Sequence, residues 1–268
     1  MLTYTGHSGS FRGNGVQDLL TRNYKTGELF VHPGTGRLDG LRTYGEPVLV
    51  GTGFAADHHV WVGAGDFTGD GTADVFALTI EKQAYIYLNT GGLNGTGTLA
   101  EPIHVGGKLP DITYDTIALA DLDGDGKTDI IGRQEGTSLV DTIPFTGTVN
   151  GTNSFGDPFR LAEIGEHDIP LGAADITGDG EVDLLVLHPD GGLSALETAT
   201  GTWHRISEGW GEALIIDVTD VTGDGRPDLL ALGPDGSLLA HVNTGNPDQV
   251  FAPPVVVAKG WTDFNAIS

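Results

Sequence analysis

The chain has 268 residues, long enough for one large β domain or a repeat array, and sets 37 acidic against 13 basic side chains for a net charge of −24. Nucleic acid and anionic lipid both need a basic surface, so neither is an expected partner. There is no cysteine, which removes disulfides, zinc–thiolate sites and thiol chemistry. No stretch is apolar enough to span a membrane, and the opening MLTYTGHSGS has neither the basic region nor the apolar run of a signal peptide.

In chain order, a worn nine-residue phrase comes first, at Ser10 to Asp18 (SFRGNGVQD). Full versions follow at Asp66 to Asp74 (DFTGDGTAD), Asp121 to Asp129 (DLDGDGKTD), Asp175 to Asp183 (DITGDGEVD) and Asp220 to Asp228 (DVTGDGRPD). The starts at 10, 66, 121, 175 and 220 are 56, 55, 54 and 45 residues apart, a period that marks a repeat architecture. Before each full loop lies a short apolar segment with small residues (60–65, 116–120, 170–174, 214–219), and after it an apolar run (75–78, 130–131, 184–187, 229–232). These runs are too short for helices and rich in β-branched residues and Leu, so they read as buried strands. A turn and a third strand ending in Thr-Gly follow, as in 84–91 and 238–245; a fourth, Pro-containing strand at 46–50, 101–105 and 253–258 reads as an edge. Four strands per tandem unit and no helices predict an all-β fold: one β-propeller domain over 1–268, with five four-stranded blades. Two segments compete for the inner strand of the first blade, residues 2–9 and the stretch from Trp261 to Ser268.

The loops have the chemistry of a hard-cation site. Positions one, three, five and nine carry oxygen, as in Asp66, Thr68, Asp70 and Asp74. Position six is always Gly, where a tight loop needs a turn that a side chain would hinder. Position seven varies (Thr72, Lys127, Glu181, Arg226), as expected where only the backbone carbonyl is used. Such oxygens suit Ca2+ better than Mg2+, which keeps its waters. The loop is not an EF-hand: position twelve holds Ala77, Gly132, Val186 or Ala231 instead of Glu, and the flanks are strand-like. Acidic Asp-Gly turns that hold nothing are the alternative for one copy; four copies with the same oxygen spacing favour calcium. The worn loop, with Arg12 and Val16 and only Asn14 and Asp18 as plausible ligands, is expected to bind no metal.

The phrases VGAGDFTGDGTADVFAL, IALADLDGDGKTDIIG and LGAADITGDGEVDLLVL resemble FG-GAP/VCBS repeats, a family of propellers that includes calcium-loaded integrin α-subunit heads and fungal and bacterial lectins. The resemblance covers nearly the whole chain. It implies calcium ligands at Asp66, Thr68, Asp70, Thr72 and Asp74; at Asp121, Asp123, Asp125, Lys127 and Asp129; at Asp175, Thr177, Asp179, Glu181 and Asp183; and at Asp220, Thr222, Asp224, Arg226 and Asp228. It therefore implies about four structural Ca2+ ions, coupling metal binding to folding, and an extracellular setting, with a cytoplasmic one as the alternative that the missing signal peptide leaves open. For function it is less specific, because the family spans lectins, adhesion modules and enzyme-appended domains.

Function is expected on the segments leading into the inner strands, which gather round one face of a ring. They offer His58, His59, Tyr114, His167, Trp210 and Trp261, each beside or near a carboxylate. Aromatic faces stack on sugar C–H surfaces while acids accept hydroxyl hydrogen bonds; the plainer reading packs the Trp residues between blades. Enzyme motifs are weak. Ser8 in Gly6-His7-Ser8-Gly9 is not a nucleophile elbow, and His58-His59 lack the spacing of a zinc helix. The sequence thus points to a calcium-stabilised binding module for carbohydrate, with a protein-interaction or adhesion scaffold, or an enzyme using the propeller face or channel, as alternatives.

Overall fold

The computed structural model describes residues 9–106 and 114–268, and the backbone alone for 265–267. It is a five-bladed β-propeller of five four-stranded antiparallel sheets. The first sheet has the order β20-β1-β2-β3, from Phe264–Ile267, Leu19–Asn23, Glu28–His32 and Val48–Gly51. The second runs β4 (His59–Gly65), β5 (Asp74–Thr79), β6 (Ala84–Tyr87), β7 (Ile103–His104). The third is β8 (Tyr114–Ala120), β9 (Asp129–Gln134), β10 (Leu139–Ile143), β11 (Phe159–Glu163). The fourth is β12 (Ile169–Ala174), β13 (Asp183–Leu187), β14 (Leu193–Glu197), β15 (Thr202–Ser207), and the fifth β16 (Ile215–Thr219), β17 (Asp228–Leu232), β18 (Leu238–His241), β19 (Val255–Ala258).

The inner strands β20, β4, β8, β12 and β16 touch their neighbours in that order and back to β20, so the ring is closed. The competition for the first inner strand goes to the C-terminal segment. β20 pairs antiparallel with β1, and the Leu20 and Ser268 backbones bond each other in both directions. Closure covers the inner edge of β1, which would otherwise stay unpaired. Of the rival segment, residues 2–9, all but Gly9 lie outside the described residues. Ser268 also reaches the second blade, its Oγ accepting the Ala64 N–H at 2.8 Å.

Alternation along the strands gives each blade two apolar faces, and the core is the set of seams between blades. One seam packs Trp61, Phe67 and Phe76 against Phe145 and Phe155; the next joins Ile131 and Val140 to Leu184 and Val186. The prolines of the fourth strands sit outside them: β3 begins at Val48, after Pro47, and β7 at Ile103, after Pro102. An extended residue before the strand tolerates the missing N–H, whereas a ladder position would lose a hydrogen bond. The shorter fourth repeat has a local cause. Its third and fourth strands are joined by residues 198–201 alone, where the other blades use 33–47, 88–102, 144–158 and 242–254.

Candidate metal loops and interblade clefts

Each full loop joins the first to the second strand of its blade and the worn loop leads into the second strand, β1, so all five lie at one end of the ring with the third-to-fourth hairpins. The linkers between blades, which carry the predicted ligand residues, lie at the other end. The loop glycine at position six has φ of +83° at Gly71, +81° at Gly126, +94° at Gly180 and +85° at Gly225, the left-handed conformation that favours Gly.

One hydrogen-bond pattern recurs in the four full loops. The first Asp accepts the N–H groups of positions four and six: Gly69 and Gly71 on Asp66 at 2.7 and 2.8 Å, Gly223 and Gly225 on Asp220 at 2.7 and 2.8 Å. Asp121 and Asp175 hold their glycines in the same way. The Asp at position five accepts the N–H of position seven. The ninth Asp turns inward and accepts the N–H of position two, at 3.0 Å from Phe67 to Asp74 and 3.0 Å from Val221 to Asp228. Its other oxygen takes the N–H that opens the third-to-fourth hairpin: Asn89 on Asp74, Phe145 on Asp129 and Asn243 on Asp228, at 2.7–2.8 Å. Burial pushes these acids up, Asp74 to about 7 and Asp129 and Asp228 to about 6. The backbone N–H bonds oppose that rise, and the other acids of each loop add to it.

Two observations bear on whether a cation fits. Oxygens of Asp121, Asp123 and Asp125 come within 4.8 Å of one another, a convergent all-oxygen set. In the fourth blade the short 198–201 connection supplies no hairpin N–H. There Asp183 Oδ1 and Thr177 Oγ1, the predicted ligands at positions nine and three, are buried without a hydrogen-bond partner. Buried orphan acceptors are costly, and oxygen donors of this kind suit Ca2+. The residues present fit the ion.

The variable side chain at position seven packs on the neighbouring loop. The Thr72 methyl packs where a Cβ on Gly13 would sit, and Lys127 lies against Gly69, in each case position four of the preceding loop. The loops are also hooked in series: the position-eight N–H groups of Ala73 and Thr128 donate to Ser10 O and Asp66 O, both at 2.9 Å. Asn89 adds a bridge, its Nδ2 donating to Phe11 O and Ala73 O.

This loop architecture is matched by the FG-GAP-like repeat, whose pattern covers residues 66–132. Residues 66–132 are similar to that repeat, and the chain as a whole folds as a five-bladed β-propeller. Among solved structures, the propeller is similar to a lectin from Agrocybe aegerita, described as specifically recognising non-reducing terminal N-acetylglucosamine. That match has 18% identity and a TM-score of 0.47, covering 100% of this chain and 85% of that one. It is also similar to the BP39L lectin of Burkholderia pseudomallei (14%, TM-score 0.48, 96% and 99% covered). A third similar structure is BBS1N in complex with ARL6DN (15%, TM-score 0.44, 96% and 82%). No curated protein matches the chain in sequence.

The predicted ligand residues of the propeller divide by burial. Trp210 is 4% exposed; its backbone N–H donates to Gly191 O of the fourth blade and its ring packs on His241 of the fifth at 4.4 Å. It is a wedge between blades, not a free stacking surface. Phe54 makes the same join between the first two blades, through Gly27 O and Tyr87, and Trp261 between the fifth and first, through Gly236 O and His32. His58 and His167 are exposed, while His59 is half-buried beside Phe54 and Arg22, burial and then the Arg22 charge lowering its pKa. Tyr114 is half-buried and its phenol is raised by burial and by Asp141. These residues do not form one equivalent ring of sites.

Two seams open into clefts. One, about 720 Å³, lies between the fifth and first blades, with Trp261 and His32 beside Thr35, Arg42, Glu46 and Lys259. The other, about 530 Å³, lies between the fourth and fifth blades and includes Ile206, His204, Glu197, Pro227, Pro247 and Val250. Here position eight is Pro227, which has no N–H to hook onto the preceding loop. Arg226 turns back to Asp224 and Asn243 O instead of crossing the seam. A hydrogen-bonded chain Asp168–His188–Ser194 (2.9 and 2.8 Å) also occurs in the fourth blade, but Ser194 is 4% exposed and offers no access to an electrophile.

Proposed function

We propose that this propeller is a calcium-stabilised, extracellular module that binds carbohydrate in the cleft between its fifth and first blades. The observation that carries the carbohydrate reading is the company Trp261 keeps. It is the predicted aromatic that lines a cleft, and that cleft also holds a carboxylate (Glu46), a hydroxyl (Thr35) and two cations (Arg42, Lys259). An indole face beside such groups suits a pyranose, whose C–H face is apolar and whose hydroxyls both donate and accept. The calcium reading is supported by the orphan oxygens of Asp183 and Thr177 and the convergent acids of the third blade. Bound there, calcium would neutralise clustered carboxylates; the loop residues themselves position the turns and hook one blade to the next.

The test is a glycan array with calcium and with chelator, on the wild type, Trp261→Ala and Trp210→Ala. Discrete hits lost in Trp261→Ala and kept in Trp210→Ala support the reading, and no hits on a folded, calcium-loaded protein defeat it. A protein-scaffold reading is favoured by Phe159 and Trp203, 57% and 42% exposed on the outer strands of adjacent blades. Protein capture that is lost in Phe159→Ser and Trp203→Ser, on a chain silent toward glycans, would select it.

A further inference from the structure

The five loops provide an internal comparison, because one of them departs from the others in a single concerted way. In all five the ninth carboxylate is buried: Asp18, Asp183 and Asp228 are 0% exposed, Asp74 1% and Asp129 4%. In all five it holds the N–H of position two, Phe11 donating to Asp18 at 2.9 Å. It also holds a hairpin N–H in the first blade, from Gly34 at 2.9 Å. What differs is the charge around it. The four full loops carry three or four carboxylates each. The worn loop has neutral Ser10 and Asn14 at positions one and five, bonded to each other at 3.1 Å, and Asp18 is its single acid.

Against that one negative charge the worn loop sets one positive charge. Arg12, at position three, places Nη2 at 2.6 Å and Nε at 3.0 Å from Asp18 Oδ1, and Nη2 also donates to Gly34 O at 2.7 Å. The guanidinium thereby ties the loop, its closing carboxylate and the following hairpin together. An ion held by the loop oxygens would tie the loop to its closing carboxylate in the other blades, where the hairpin N–H groups of Asn89, Phe145 and Asn243 already rest on that carboxylate. The loops differ in charge accordingly: one acid faces a monovalent side chain in the worn loop, whereas the full loops set three or four acids against a divalent ion, with Lys127 and Arg226 each paired to one acid, Asp125 and Asp224, in two of them. A buried carboxylate needs such compensation wherever it stays ionised.

We infer that Arg12 is a covalently attached substitute for the metal ion, so that the first blade is wired to stay assembled without calcium. This rests on the calcium reading of the other loops. The placement has a mechanical sense, because the first blade is the one completed by pairing β20 with β1. A metal-dependent loop there would let the ring open whenever calcium fell; a built-in cation keeps the closure shut while the other four loops respond.

The test combines bound-calcium counting with hydrogen exchange, with and without EGTA. In the wild type, exchange of residues 19–32 should be unmoved by EGTA, while residues 75–78 and 184–187 exchange at least tenfold faster. The paired substitution Ser10→Asp and Arg12→Thr should raise the calcium count by one and make residues 19–32 EGTA-sensitive. Asp66→Ser, Thr68→Arg and Asp70→Asn together, which copy the worn loop, should lower the count by one and leave residues 75–78 protected in EGTA. Wild-type loss of protection at 19–32 in EGTA, or a paired variant still protected there, overturns the proposal. A wild-type count of zero defeats the calcium reading instead. The counter-cation role is then judged by Arg12→Ala and Arg12→Lys in EGTA. At least tenfold faster exchange at 19–32 in Arg12→Ala, with partial rescue in Arg12→Lys, upholds it, and unchanged exchange in both overturns it.

Discussion

Asn89 is a side chain through which the second blade grips the first, and replacing it with Leu keeps the branched outline while removing its polar atoms. Four hydrogen bonds go: Nδ2 to Phe11 O at 3.0 Å and to Ala73 O at 3.1 Å, and the N–H groups of Gly91 and Gly92 to Oδ1, both at 3.0 Å. At a net ~1 kcal/mol per bond, with the two more exposed Gly contacts discounted, the loss comes to about 3 kcal/mol. For a domain of this size each kcal/mol moves the melting temperature by roughly 2–4 °C, so the expected fall is about 6–12 °C. Because these bonds are protein to protein, a fall of that order should persist in chelator. Asn243→Leu, which loses a buried bond to Ile176 O and one from the Gly245 N–H, should lose somewhat less, about 2 kcal/mol. The third blade has Phe145 in the same place and manages without an amide. An Asn89→Leu variant melting within about 1 °C of wild type would mean that the seams are held by apolar packing alone, and the bridging argument would fail.

Three further outcomes follow from single contacts. Ser268→Ala leaves the buried Ala64 N–H without its acceptor at the closing seam and should cost about 1–3 kcal/mol in a thermal melt. An unchanged melt would show that this hydroxyl does not hold the closure. Burial holds His32 down to about 4 against an ordinary 6.5, so the unfolded chain takes up that proton first. Its contribution is complete above pH 6.5 and lost as pH falls toward 4, by up to about 3 kcal/mol; His32→Gln should flatten that part of a stability-versus-pH curve. Trp210→Ala should cost about 3–5 kcal/mol as an emptied wedge yet leave glycan affinity of the folded protein unchanged. A comparable loss of affinity would place Trp210 in the binding surface after all.

Much of the fold was legible because its signals are local. The loop phrase is written out in full four times, and the flanking apolar runs fall on the strands found, as 229–232 does on β17. The choice between two segments for the first inner strand was not legible, since both have the alternation of that strand and only the closed ring decides. Of the site, the inward turn of the ninth Asp was out of reach because its partners, Asn89 or Asn243, lie on a hairpin many residues away. Trp210 and Trp261 look alike in sequence and make the same join, yet one is covered and the other opens on a cleft, a difference set by the neighbouring blade. The role of Arg12 was half visible. An Arg in place of an oxygen ligand spoiled the metal site, but its bond to Asp18 appears only once the loop is folded. The 45-residue spacing of the fourth repeat was a signal that could have been followed to the short 198–201 connection and the orphan oxygens above it.

The central claim is that the four full loops hold calcium and that the ring depends on it. Bound metal should be counted on the purified chain, and the same sample melted in calcium and in excess EGTA. About four Ca2+ per chain, with a melting temperature that falls by at least 10 °C in EGTA, is the predicted result, since ions that bind the folded state alone add their binding energy to stability. A chain with no bound calcium and an unmoved melt would contradict it, and the four loops would then be acidic turns that hold nothing.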